Sequence, residues 1–314
     1  MNRRLAAISS VLDQLADRVV LFQYREWLFV TFGLFGALGT FLTAALMGAI
    51  LLGQGVAPGL FLTTALLGSA AVVGGSWLLG QALDYRLLLA NPHRAVRRPL
   101  FVSWGGALGL SLALALAAAL SGHHPLLMLD ALARSIFLGH AVGRIGCLSY
   151  GCCFGRPTRQ RLAITYRNPQ AKAVRVGRLQ GVPLHPAALY EAILEIGLLL
   201  AVNAAALLGA PLGAPTALAL IGYGCVRFAV EFLRNNEGRL VIGPLSLNHL
   251  IALALVGLGV SMTALMQLGD AQSAPAIAWS ALLDSAPWLA LGITPCALVV
   301  FVAFSTHRGI VGRW

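Results

Sequence analysis

Charge is what this sequence has least of. Charged residues make up 11% of its 314 positions, against about 25% in a soluble domain. Hydrophobic residues reach 58% and mean hydropathy is +0.81. Such a chain is no ordinary soluble protein. Strands alternating apolar and polar residues are missing too, which excludes a membrane barrel. The first 20 residues hold no uninterrupted apolar core, so no cleavable signal is expected. No strong repeat and no low-complexity tract stand out beyond Ala/Leu-rich runs. Cysteine is scarce, five in all, and none lies in the C-x2-C spacing of a zinc knuckle.

Present instead are apolar runs of bilayer length, about 20 residues each. They fall near 27–53, 59–82, 99–121, 125–147, 186–209, 215–234, 244–268 and 287–305. Backbone in lipid must satisfy its own hydrogen bonds, so the runs are helices. The expected fold is all-α: a polytopic helical membrane bundle of seven to eight spans, with a small polar domain between the fourth and fifth. Three regions are expected. Residues 1–26 form an amphipathic interfacial helix, with Leu5, Ile8, Leu12 and Leu15 at helical spacing. Residues 27–268 form the main bundle, and 269–314 add a C-terminal span and tail. Gly105, Gly106 and Gly109 give the third span a face for close helix packing.

The net charge of +11 lies in loops between apolar runs. It points to anionic lipid headgroups rather than nucleic acid. Arg86, Arg94, Arg97 and Arg98 collect in the linker 83–98. The polar segment 155–184 carries Arg156, Arg159, Arg161, Arg167, Lys172, Arg175 and Arg178 and no acid. The positive-inside bias would place both segments in the cytoplasm, with both termini and the linker after the sixth span.

The densest chemistry lies at Gly139–Arg156, G-H-A-V-G-R-I-G-C-L-S-Y-G-C-C-F-G-R. Asp130, Arg134, His140 and Arg144 are four ionisable groups in one span, a costly arrangement that marks a functional path. Asp130 and Arg134, four apart, fit a structural pair equally well. Arg144 offers a planar fork suited to phosphate oxygens. His140 lies one turn before it, and an imidazole titrates near neutrality. Cys147, Cys152 and Cys153 form C-x4-C-C. Small packing residues, a disulfide between Cys147 and Cys152, or a thiolate activated by Arg144 and Arg156 all fit this pattern. With only His140 near enough to join them, no metal is expected. Cys225 and Cys296, inside apolar runs, read as small core residues.

Later in the chain, Tyr223, Arg227, Glu231 and Arg234 share one helical face. Arg227 and Glu231 can pair, and a stripe with two Arg fits an inward anion pocket. Glu191 and Glu195 can offer carboxylates to its basic groups. His185-Pro186 opens the fifth span. His249, beside Asn248, carries little weight alone.

Together these residues resemble the prolipoprotein diacylglyceryl transferase family over roughly 99–265. The family's G-R-x-G-N-F-x-N-x-E-x-x-G signature is similar to Gly143–Gly155. Its H-P-x-Q-L-Y-E motif is similar to His185–Glu191. Its G-Y-G-x-x-R-x-x-x-E-x-x-R motif is similar to Gly222–Gly224 with Arg227, Glu231 and Arg234. The resemblance implies transfer of the diacylglyceryl group of phosphatidylglycerol, or another anionic phospholipid, to the cysteine thiol of a lipobox protein or related acceptor. It implies no cofactor and no metal. Arg144 and Arg227 would hold the lipid phosphate, bordered by Tyr223. Gly155, Cys147, Trp104, His185, Tyr190 and Arg234 are the further substrate-binding candidates. The family places this site on the outer face of the bacterial plasma membrane, against the positive-inside count for 155–184, and that placement is followed.

Departures from the pattern matter. The signature Asn and Glu are Cys147 and Cys152, and the Gln of H-P-x-Q is Ala188. The family's essential His of an H-G-G motif falls at Trp104, in Trp104-Gly105-Gly106. An indole N–H only donates and cannot take a proton. Another base is then needed, His140 first, with Cys152 and Glu231 as further catalytic candidates. The eighth span exceeds the family's seven. The sequence therefore reads as a cysteine-bearing paralogue. The alternatives are a phospholipid-binding protein that has lost catalysis and a thiol-based redox or sensor protein.

Overall fold

The computed structural model describes residues 2–91, 102–235, 240–243, 245–266, 274, 276–284 and 286–311. Arg94, Arg97 and Arg98 of the basic linker lie outside these residues, as do the first residues of the expected third span.

The chain is a helical membrane bundle. Eight long helices run back and forth: α2 (Thr31–Gly53), α3 (Pro58–Leu83), α5 (Ser103–Ser121), α6 (Pro125–Tyr150), α8 (Ala187–Leu207), α9 (Ala214–Glu231), α10 (Leu247–Met266) and α12 (Ala286–Ser305). Shorter helices among the described residues are α1 (Asn2–Ala16), α4 (Tyr85–Ala90), α7 (Lys172–Arg175) and α11 (Trp279–Asp284). Six of the eight, all but α9 and α12, are long and apolar enough to cross a membrane. Local chemistry fixes their ends. Proline opens α3, α6 and α9 within the first turn, where the missing N–H has no helical partner anyway. Gly122 and Gly151 close α5 and α6 in the left-handed conformation, at φ 73° and 68°, which costs glycine nothing.

Small residues set the helix contacts. Gly39 of α2 faces Gly139 of α6, and a Cβ on either would strike the other's carbonyl oxygen. Gly105 and Gly109 of α5 lie against Gly75 and Ala71 of α3 in the same way, as their spacing predicts. Polar knots hold the far end. Asp130 of α6 accepts from Gly213 N (2.6 Å), Thr216 N (3.0 Å) and Thr216 Oγ1. It thereby caps the orphan donors at the start of α9. Arg134 Nε donates to Asn203 Oδ1 at 3.1 Å, and Asn203 Nδ2 returns a bond to the Arg134 carbonyl at 2.9 Å. This Asp and Arg therefore join α6 to α9 and α8.

Both chain ends meet at the opposite end of the bundle. Strands β1 (Val20–Tyr24), β2 (Trp27–Val30) and β7 (Thr306–Arg308) form an antiparallel sheet in the order β1-β2-β7. Residues 27–30 are thus a strand, whereas the apolar run alone places the first helix from 27. Aromatic and β-branched residues favour extended pairing here, with Phe22 opposite Phe29 and Leu28 opposite His307. The polar segment 155–184 folds over the same end, with β3 (Ile164–Thr165) paired to β4 (Pro183–Leu184). Helix α1 packs on that segment. Asp13 Oδ1 accepts from Thr165 N at 2.8 Å, and Ser9 Oγ donates to the Arg161 carbonyl at 2.8 Å. Leu12, Val19, Leu28, Leu148, Ile164, Tyr166, Leu184 and Val311 share one buried core in this cap. A further hairpin joins β5 (Leu240–Ile242) to β6 (Leu245–Ser246) ahead of α10.

Candidate active site

Beneath the cap, α6, α8 and α9 bring three guanidiniums against three carboxylates. Glu191 of α8 is fully buried. Its Oε1 lies 2.6 Å from Arg144 Nη2 and 3.5 Å from Arg227 Nη1, and its Oε2 lies 3.9 Å from Arg234 Nη1. Arg227 Nη2 pairs with Glu231 Oε2 at 2.7 Å, one turn along α9. Arg234, in the turn after α9, reaches Glu231 at 3.8 Å. Glu195 lies one turn beyond Glu191, with Oε1 at 2.8 Å from His140 Nδ1 and 3.8 Å from Arg144 Nε. Burial of so many charges is tolerable only because each faces an opposite charge. Among the described residues, Arg144 Nε and Arg234 Nε are buried donors with no hydrogen-bond acceptor. A buried orphan donor typically costs about 1–3 kcal/mol; Glu191 Oε2 and both oxygens of Glu195 are likewise buried without a hydrogen-bond partner, so the cluster holds unsatisfied groups of both signs.

One wall is aromatic. The Tyr223 ring centroid lies 5.7 Å from His140, 6.1 Å from Trp104 and 6.1 Å from Phe137. Trp104 Nε1 donates to Asn248 Oδ1 at 2.9 Å, and Asn248 Nδ2 donates to Glu231 Oε1 at 2.7 Å. Ser246 Oγ donates to the same carboxylate oxygen at 2.9 Å. His249 stands behind this chain, its Nδ1 accepting from Ser246 N at 3.0 Å. Sequence reading named Asn248 only as the neighbour of His249 and passed over Ser246, because their partner Glu231 lies on another helix.

The cysteines sit where α6 ends. All five in the chain are free thiols. After Gly151 the backbone stays unusual, with Cys153 at φ 56°, a region non-glycine residues seldom occupy. That turn folds Cys153 back on the helix. The sulfurs of Cys147, Cys152 and Cys153 lie within 4.8 Å of one another, and Arg144 Nη1 donates to Cys153 Sγ at 3.7 Å. Hydrogen bonds to Cys147 and Cys153, with burial, push the Cys152 thiol well above its ordinary range. Cys153 is held well below it, by hydrogen bonds from Cys147 and Cys152 and then by Arg234 and Arg144, which outweigh burial. The three sulfurs are a soft donor set, one ligand short of a structural zinc site.

Backbone lacing fixes this turn against α9. Gly155 bridges Arg234, and a Cβ at Gly155 would strike the His185 backbone. Arg156 N donates to the Leu233 carbonyl at 2.8 Å, and His185 N donates to the Arg156 carbonyl at 3.0 Å. His185 and Tyr190 lie together at the cap, their rings 6.3 Å apart.

A sequence model described as prolipoprotein diacylglyceryl transferase matches residues 19–265. That match spans more than half of the chain. The chain belongs to the prolipoprotein diacylglyceryl transferase family. Among curated relatives, the phosphatidylglycerol–prolipoprotein diacylglyceryl transferase of Cupriavidus pinatubonensis is 33% identical over 197 residues, covering 59% of this chain and 68% of the relative. That of Clostridium tetani is 29% identical over 193 residues, covering 60% and 73%. That of Burkholderia cenocepacia is 34% identical over 181 residues, covering 50% and 61%. In this chain the site carries a three-thiol turn and Trp104, whose N–H is spent on Asn248.

Proposed function

We propose that the chain transfers the diacylglyceryl group of phosphatidylglycerol to the cysteine thiol of a prolipoprotein or related acceptor. The observation that carries this reading is the buried cluster of Arg144, Arg227 and Arg234, in which two guanidinium donors lack an acceptor. A lipid phosphate supplies those acceptors. The same donors then stabilise the charge that builds on the phosphate as the glyceryl carbon–oxygen bond breaks. Tyr223 and Trp104 border the glyceryl end of the pocket.

Deprotonation of the acceptor thiol falls to His140. Its side chain is 35% exposed and so can meet an acceptor, while Glu195 holds its Nδ1 at 2.8 Å. With Nδ1 against Glu195, Nε2 is the nitrogen left to accept the proton. Glu231 is already engaged by Arg227, Ser246 and Asn248, and Cys152 holds its own proton. Neither serves as well. The site faces the outer side of the bacterial plasma membrane, where the cap would meet the acceptor.

The test is a transfer assay in liposomes with a lipobox peptide, read by mass spectrometry. A diacylglyceryl adduct is expected with phosphatidylglycerol, not with phosphatidylcholine alone, and not with Arg144→Ala. An equal yield from Arg144→Ala would overturn the proposal.

A further inference from the structure

The proposed chemistry leaves the C-x4-C-C turn unused, although it lies against the group assigned to the lipid phosphate. Cys153 Sγ is 3.7 Å from Arg144 Nη1. A phosphate oxygen bound by the Nε of the same guanidinium would sit about 2.8 Å from that nitrogen. The glyceryl carbon is one bond beyond the ester oxygen of the same phosphate. Sulfur and glyceryl carbon would thus both lie beside one guanidinium, the one that already touches Cys153. The orientation is fixed by the left-handed backbone at Cys153 and by the bridge from Gly155 to Arg234.

Resting on the proposed function, we infer that Cys153 is itself an acceptor: the chain places a diacylglyceryl group on its own Cys153. The sulfur lone pair attacks the glyceryl carbon and a carbon–sulfur bond forms. The carbon–oxygen bond to phosphate breaks, and its electron pair leaves with glycerol phosphate. Starting from the thiolate, its negative charge passes to the departing phosphate. No oxidant or reductant is needed.

Two features single out Cys153 among the three. It alone accepts a hydrogen bond from Arg144. The neighbouring thiols and the Arg234 and Arg144 guanidiniums also hold the Cys153 thiol well below its ordinary range, whereas Cys152 is pushed up, and the thiolate is the nucleophile. The product is a thioether, and a thiolate is a poor leaving group from an alkyl carbon. The adduct is therefore terminal and not an intermediate on the way to a protein acceptor. It fills the pocket with the chain's own lipid and ends turnover in the molecule that bears it.

The experiment incubates the full chain in phosphatidylglycerol liposomes, with a parallel arm containing the lipobox peptide. Trypsin releases Ile145–Arg159, since the Arg156–Pro157 bond resists it; the peptide holds all three cysteines, and tandem mass spectrometry locates any adduct. One diacylglyceryl unit on Cys153 is expected, absent from Cys153→Ser and growing over time as peptide transfer declines. Thermal unfolding of Cys153→Ser establishes that the variant is folded. An unmodified wild-type peptide, or an adduct on Cys147 or Cys152, overturns the inference. The lipobox arm separates the two readings. Peptide product without self-modification leaves the proposed function standing, whereas failure of both removes it as well.

Discussion

Replacing Glu191 by Gln tests the charge balance of the cluster. Glu191 is fully buried and lies within 3.9 Å of Arg144, Arg227 and Arg234. Gln keeps the shape and removes the charge, which leaves one guanidinium in excess. Breaking a buried ion pair from one side typically costs about 3–5 kcal/mol, so the lipid-free protein should unfold correspondingly earlier. A bound phosphate would return one negative charge. If it recovers even about 1.4–2.8 kcal/mol, the variant binds phosphatidylglycerol about ten- to a hundredfold more tightly than wild type. The assay is thermal unfolding in a neutral detergent, with phosphatidylglycerol titrated in. The expected result is a lower starting transition with a larger lipid-dependent rise, consistent with ligand linkage. An unchanged starting transition would refute the pairing energetics. A lowered one with no extra lipid response would refute phosphate binding at this cluster.

Glu195→Gln should leave phosphatidylglycerol binding intact. It should slow transfer at least about tenfold, because His140 loses the carboxylate against which its Nδ1 lies; transfer at the wild-type rate would remove this pair from the mechanism. Asp130→Ala leaves the first donors of α9 uncapped in a buried setting. It should destabilise the fold by about 1–3 kcal/mol, visible as a lowered unfolding transition without loss of lipid selectivity. His307 is buried in β7, where desolvation and then Arg175 depress its pKa to about 4. The unfolded chain protonates this histidine near 6.5, so the folded state binds fewer protons between the two values. Stability is therefore full above pH 6.5 and falls as pH drops toward 4, by about 3 kcal/mol at 1.36 kcal/mol per pH unit. His307→Phe should flatten that slope in denaturation measured across pH 4–7.

The bundle was largely legible because lipid imposes length and apolarity on each run. The stripe Tyr223–Arg227–Glu231–Arg234 was legible because one helix fixes its own periodicity, and Arg227 does pair with Glu231. What lay hidden depended on contacts between distant segments. The sheet joining 20–30 to 306–308 pairs residues from the two ends of the chain, and its first half merges into an apolar run. Asp130 and Arg134 suggest a mutual pair by spacing, and each is in addition engaged across helices, by Thr216 and Asn203. The three cysteines left packing, disulfide and thiolate open. A left-handed turn at Cys153 brings their sulfurs together, and no spacing rule predicts such a turn for cysteine.

The central claim is that Arg144 and Arg227 jointly hold the phosphate of the lipid that is cleaved. The most direct measurement is phosphatidylglycerol affinity by native mass spectrometry for wild type, Arg144→Gln and Arg227→Gln. Loss of at least about tenfold in affinity in each variant, with phosphatidylcholine binding unchanged, is the predicted result. Wild-type affinity in either variant would contradict the account.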